Sequence, residues 1–235
     1  LENSKKAYKN IGDLFLDFPL DVSLIAKSET YKALLSVKFP YISKSLNSFN
    51  ESSFKTPEMV QLFNRFATYN GSNPYKAPAM LSMISSLEQS QGTFYPNGGM
   101  ISITNALVKL AKDVGVKFHN NSKVEKIETL KETVAGIVVN GIKHKADFVV
   151  SNMDIYYTYK KLLADNKFAD KVLKQERSSS AFIFYWGINT TFSELGLHNI
   201  FFSEDYKKEF EQIFNDSILP DEPTIYVNIT SKFDK

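Results

Sequence analysis

No cysteine occurs in the 235 residues. That excludes disulfides, thiolate nucleophiles and cysteine metal sites, and it fits a reducing, cytoplasmic compartment. Ten glycines are present without one G-x-G pair, so the G-x-G-x-x-G loop that cradles a dinucleotide pyrophosphate is absent. Long apolar runs are absent too. The longest, Ala181 to Ile188, falls far short of the ~20 residues that a membrane-spanning helix needs. The opening LENSKKAYKN has no secretory character. A formal charge of +2 is close to neutral and calls for no nucleic-acid partner. No H-E-x-x-H, G-x-S-x-G or Walker loop occurs, and His119, His144 and His198 lie far apart without ligand spacing, so no metal site is expected. The chain is 43% hydrophobic with 19 Phe. That suffices for one large domain or two smaller ones, and it suits an apolar cavity or an ordinary core alike.

The stretch 92–154 is the most articulate. Tyr95-Pro96-Asn97-Gly98-Gly99 is a turn. Apolar residues then recur at Met100, Ile103, Leu107, Leu110, Ala111 and Val114, which predicts a helix with one buried face and Gly115 as its left-handed terminator. Val116 and Phe118 predict a short strand, and Val124 and Ile127 another. The run 134–139 meets Asn140-Gly141, the strongest short signal for a two-residue hairpin turn, and the chain returns over 142–146. The residues 147–152, DFVVSN, predict a buried strand ending in polar residues.

Elsewhere, apolar clusters at Leu14–Leu20 and Leu24–Ala26 and a helix over Glu29–Lys38 alternate with Lys27, Lys32, Lys38 and Lys44. Residues 1–60 fit an interfacial surface resting on a membrane, or an ordinary helical subdomain with lysines on its wet side. Thr56-Pro57 starts a helix that carries Arg65 and Tyr69 four apart and breaks at 70–74; Ala77-Pro78 opens a second, ending near Gly92. A helix is expected from Ile155 to about Lys174. The aromatic run 181–188 reads as a central strand apolar on both faces. His198–Phe202 and Thr224–Ile229 read as strands flanking an amphipathic helix over 204–214.

The run YPNGGM, a helix, then GVKF, VEKI, GIVVNG and ADFVVSNMD resembles the phytoene desaturase (carotenoid desaturase) family of amine-oxidase-like FAD flavoproteins. RFATYNGSNPYKAP at 65–78, LHNIFFSEDY at 197–206 and LPDEPTIYV at 219–227 follow in family order. The resemblance implies an α/β fold: part of a Rossmann-like FAD domain with a β-meander, plus a substrate domain of mixed sheet and helices. It implies three segments: 1–92, the helical, membrane-facing part of the substrate domain; 93–154, re-entering the FAD domain; and 155–235, substrate-binding with a sheet. Because the phosphate-cradling loop is absent, the chain is expected to be an internal fragment of a longer flavoenzyme and inactive alone.

The resemblance further implies FAD as cofactor and a lipophilic isoprenoid or carotenoid as substrate, with peripheral contact to the cytoplasmic membrane and the oligomeric state open. The flavin then accepts the hydride, and the protein supplies alignment and dryness. Implied cofactor contacts are Val124 at the adenine end, Ser151 and Asn152 at a strand terminus, and Gly98 and Gly99 where backbone must approach closely. Arg65 is the implied catalytic candidate, and Tyr69, Phe184 and Trp186 the implied substrate contacts. Other readings on the same scaffold are a carotenoid isomerase or oxygenase and an amine oxidase; a non-catalytic lipid-binding module is the reading from another class.

Overall fold

The computed structural model describes residues 40–131 and 133–233 together with Lys5 and Tyr8. The clusters Leu14–Leu20 and Leu24–Ala26 and the helix expected over Glu29–Lys38 lie outside the described residues. Two units are present: Leu1–Met100 with Ser178–Lys235, and Ile101–Arg177.

In the first unit, α1 (Pro40–Ser43), α2 (Leu46–Glu51) and α3 (Pro57–Asn64) precede a 3₁₀ helix, Arg65–Asn70. Ser45 caps α2 by accepting from the Ser48 amide at 3.1 Å. Pro57 opens α3, where its missing N–H costs nothing, although Thr56 makes no side-chain cap bond. A second 3₁₀ turn, Ala79–Leu81, leads into α4 (Ser82–Gln91). Leu46, Ala67 and Ala77 bury completely or nearly so, with Leu81 packed against them. Main-chain bonds from Leu46 to Ala77 at 2.8 Å and from Ala79 to Lys44 at 3.0 Å clamp the start of α2 to this turn. A buried amide relay, Asn50 to Asn64 at 2.9 Å and Asn64 to Asn47 at 2.8 Å, fixes α3 on α2. The relay satisfies polar groups that burial would otherwise strand.

The same unit contains the antiparallel pair β4 (His198–Phe201) and β5 (Ile225–Asn228), with His198 opposite Asn228 and Ile200 opposite Tyr226. Between them runs α8 (Tyr206–Glu211), continued as a π turn, Gln212–Asp216. Tyr206 and Phe210 are buried edge to face, 5.0 Å between centroids at 67–75° tilts toward each other and Tyr75. Glu209 is buried as well, accepting from Ser203 Oγ at 2.8 Å, Thr224 N at 2.8 Å and Thr224 Oγ1 at 2.7 Å. One carboxylate thus ties the ends of both strands to α8.

The second unit holds α5 (Ile101–Asp113), then β1 (Val124–Leu130), β2 (Thr133–Val139) and β3 (Ile142–Lys145) as an antiparallel meander in sequence order. Asn140 and Gly141 both take positive φ, 50° and 74°, as the mirror-image hairpin turn demands. Gly136 sits at a bulge opposite Glu128, with φ 146°; a Cβ there would lie 2.0 Å from the His144 carbonyl oxygen. The helix expected over 155–174 is broken. α6 (Ile155–Tyr157) passes into a π turn, Thr158–Leu162, and Ala164 takes φ 55° before α7 (Asn166–Leu173). Asp165 restarts the helix as N-cap, accepting from the Phe168 amide at 2.9 Å. Ile127, Leu162 and Ala169 form the buried centre of this unit.

Three expected strands do not form. Val116 and Phe118 lie in coil; so do 147–152 and 181–188. Phe148 and Val150 are 90% and 96% exposed, where burial was expected. The cause is the same in each case: a strand exists only against a neighbour that completes its ladder, and no described residue supplies one. The α5 stripe differs from expectation too, since Ile103, Leu107 and Leu110 are exposed and the helix has no buried residue. An amphipathic stripe records which side requires cover, not what covers it.

Candidate functional site

In the first unit, the 3₁₀ helix and α4 bring three chemically able side chains together. Tyr69 donates its phenol hydroxyl to Glu88 in a short hydrogen bond. The Arg65 guanidinium lies 4.9 Å from the centroid of Phe66 and 5.9 Å from that of Tyr69, and these two rings stack 9° from parallel. Burial first, then the Glu88 carboxylate, holds the Tyr69 phenol above its ordinary value, while the Arg65 guanidinium pulls the other way. Arg65 Nε is buried with no hydrogen-bond partner among the described residues. A donor left so costs about 1–3 kcal/mol, which a polar ligand group would recover. The group therefore combines a proton-holding phenol–carboxylate pair with a cation free of any carboxylate partner among the described residues.

The elbow that follows is sterically specified. Gly71 takes φ 60°, and a Cβ there would come 2.8 Å from Ser178 Cβ. Ser179 donates to the Gly71 carbonyl at 2.9 Å. Only glycine allows the returning chain to lie this close.

Arg65 and Tyr69 are thus brought together, though on a 3₁₀ helix rather than on the α-helical face that their four-residue spacing predicts. Phe184 and Trp186 lie on one side of an extended, exposed segment with ring centroids 5.9 Å apart, joined by Phe182 at 5.0 Å from Phe184. Gly98 and Gly99 carry φ 81° and 80°, in a turn closed by Gly99 N to Pro96 O at 3.0 Å.

In the second unit, Val124 is the half-buried first residue of β1, opposite Val139. Ser151 and Asn152 are exposed. The Ser151 hydroxyl shares a 2.8 Å bond with Thr158 Oγ1 and accepts from the Met153 amide at 3.3 Å. Among the described residues, 147–152 make no backbone–backbone hydrogen bond, so their amides and carbonyls are available to another strand or to a ligand. A shallow apolar cleft of about 290 Å³ is lined by Thr104, Leu107, Val108, Ala111 and Phe118. No helix among the described residues is long and apolar enough to cross a membrane.

Glu88 escaped the reading of the sequence. Nineteen residues separate it from Tyr69, and nothing in SLEQSQ marks one carboxylate for a partner so far along the chain. His198, for which the sequence offers no ligand spacing, lies on β4 in contact with Tyr226.

Residues 16–180 match the family described as flavin containing amine oxidoreductase. The chain is 49% identical over 233 residues to a 1-hydroxycarotenoid 3,4-desaturase of Flavobacterium sp. (strain P99-3), covering 99% of this chain and 48% of that protein. It is 37% identical over 187 residues to a 4,4'-diaponeurosporene oxygenase of Staphylococcus aureus (strain MRSA252), covering 78% of this chain and 38% of that protein. A solved oxidoreductase from Methanosarcina mazei matches 73% of this chain and 39% of its own at 23% identity, with a TM-score of 0.48. The chain spans less than half the length of these curated relatives.

Proposed function

The chain belongs to the flavin containing amine oxidoreductase family, and from that premise we propose that the protein containing it is an FAD-dependent desaturase of a long isoprenoid. The observation that carries this reading is the 49% identity, sustained over 99% of the chain, to a desaturase of hydroxylated carotenoids. Mixed helices and small sheets suit an α/β flavoprotein. In this reading 93–154 contributes to a Rossmann-like FAD domain, while 1–92 and 155–235 build the substrate domain and a peripheral membrane face.

The residues present fit a flavin in part. The unpaired backbone of 147–152 and the exposed Asn152 offer donors and acceptors of the kind a ribose or pyrophosphate takes up. Gly98, exposed and at φ 81°, has no side chain of its own to hold a ligand away from its backbone. Ser151, Asn152 and the backbone of Val124 would hold the cofactor in the second unit. FAD supplies the hydride acceptor when bound. Arg65, through its unpartnered Nε, orients a polar group. The Tyr69 phenol, kept protonated at neutral pH by its raised value, donates to Glu88, whose carboxylate receives the proton that desaturation releases. Phe184 and Trp186 offer apolar ring surface to a polyene.

The test supplies the full-length protein with FAD and a carotenoid precursor in liposomes. Loss of hydrogen from the product, with absorption moving to longer wavelength, is the expected outcome. A second reading, oxygenation, is favoured by the 37% identity to a carotenoid oxygenase; mass spectrometry separates gain of oxygen from loss of two hydrogens. Oxidation of a simple amine with release of peroxide, and an unchanged carotenoid, would defeat both.

A further inference from the structure

The β4–β5 sheet carries a polar cluster that the reading above does not use. His198 and Asn228 face each other directly across the ladder, and Tyr226 stands two residues from Asn228, so all three share one face with Ile200. His198 Nδ1 lies 2.6 Å from Tyr226 Oη, and their rings stack within 17° of parallel. Asn228 Nδ2 lies 3.2 Å from both Nδ1 and Oη. All three residues are exposed.

With the imidazole neutral and its proton assigned to Nε2, the donor inventory gives one consistent bonding pattern. Neutral Nδ1 has a single lone pair, which accepts the Tyr226 hydroxyl proton; the phenol oxygen then accepts from Asn228. Among the described residues neither His198 Nε2 nor Asn228 Oδ1 has a partner. The cluster therefore presents one donor and one acceptor, each held by the tyrosine between them, and no charged group takes part.

That complement selects a ligand. A carboxylate or phosphate has acceptors only and would oppose Oδ1. An ammonium has donors only and would oppose the Nε2 proton. A hydroxyl both donates and accepts. We propose that His198, Tyr226 and Asn228 recognise a neutral hydroxyl group on the isoprenoid substrate and so set which end of a polar-tipped chain is held. This rests on the carotenoid-desaturase reading, and it names the substrate's polar group.

The experiment uses full-length holoenzyme and two substrates, a hydroxylated carotenoid and its hydrocarbon counterpart, in the same liposomes. The measured quantity is the ratio of kcat/KM for the hydroxylated over the hydrocarbon substrate. Asn228→Leu and His198→Phe should each lower it roughly three- to tenfold through KM, as loss of one uncharged hydrogen bond implies. Asn228→Asp keeps an outward acceptor and should retain more of the preference than Asn228→Leu. Flavin content identifies a variant that fails to fold. Binding followed by quenching of flavin fluorescence yields the same preference without turnover. A protein that binds the hydroxylated chain preferentially yet makes no new double bond would end the desaturase reading and leave the recognition site standing. A preference equal in the unmodified protein and every folded variant overturns the site itself.

Discussion

Replacing Glu209 by Ala tests whether one buried carboxylate governs the sheet that carries His198 and Tyr226. Glu209 accepts three bonds of 2.7–2.8 Å, from Ser203 Oγ, Thr224 N and Thr224 Oγ1. Truncation strands all three donors. Ser203 is buried and bears the full penalty of about 1–3 kcal/mol, whereas half-buried Thr224 can recruit water for part of its own. The sum is about 2–4 kcal/mol in the local opening of β4–β5. At ~1.4 kcal/mol per tenfold, exchange of the Asn199 and Val227 amides, which face each other across the ladder, should accelerate roughly thirtyfold to several-hundredfold. Glu209→Gln retains the shape and one acceptor, and the two hydroxyls can rotate toward its amide, so acceleration should stay within about tenfold. Amide hydrogen exchange followed by mass spectrometry on the full-length protein reads both. Equal acceleration in the two variants, or none in the alanine variant, would show that the carboxylate is not what fastens the strands.

The Tyr69 phenol should titrate above its ordinary value; Glu88→Gln should bring it down and Arg65→Gln push it further up, read from phenolate absorbance against a Tyr69→Phe blank. If the Glu88 carboxylate receives the released proton, Glu88→Gln should lower kcat about a hundredfold or more while leaving flavin content intact. Gly136→Ala should destroy the β2–β3 pairing at a cost of at least ~2 kcal/mol, since φ 146° and a Cβ 2.0 Å from a carbonyl oxygen leave no room, and exchange at Ile142 and His144 reports it. Burial, with Asp205 next, pushes the Tyr75 phenol up to about 12. Its raised value contributes stability that is complete below ~10 and lost as the pH climbs toward that higher value, so Tyr75→Phe should flatten the alkaline decline in thermal stability between those limits.

Features written within a few residues of one another were legible in the sequence. Asn140-Gly141 specifies its turn because both residues tolerate positive φ, and the alternation on either side fixes the hairpin. Pro57 opens α3 because its fixed φ and missing N–H suit the first helical position, a matter of local backbone geometry alone. The ordered motifs likewise pointed to the family that residues 16–180 match.

What the tertiary structure decided are the non-local pairings. The runs 147–152 and 181–188 have every local preference of a strand, yet preference does not supply the neighbour whose amides and carbonyls complete a ladder, and among the described residues none does. Glu88 acquires its role only because α4 folds back to Tyr69, and Glu209 only because Thr224 returns fifteen residues later. His198, Tyr226 and Asn228 become one cluster through strand register, which a sequence separation of 30 between His198 and Asn228 does not announce. Side-chain identity fixes what a residue can donate or accept; only the closing of the chain in space determines which groups are within reach.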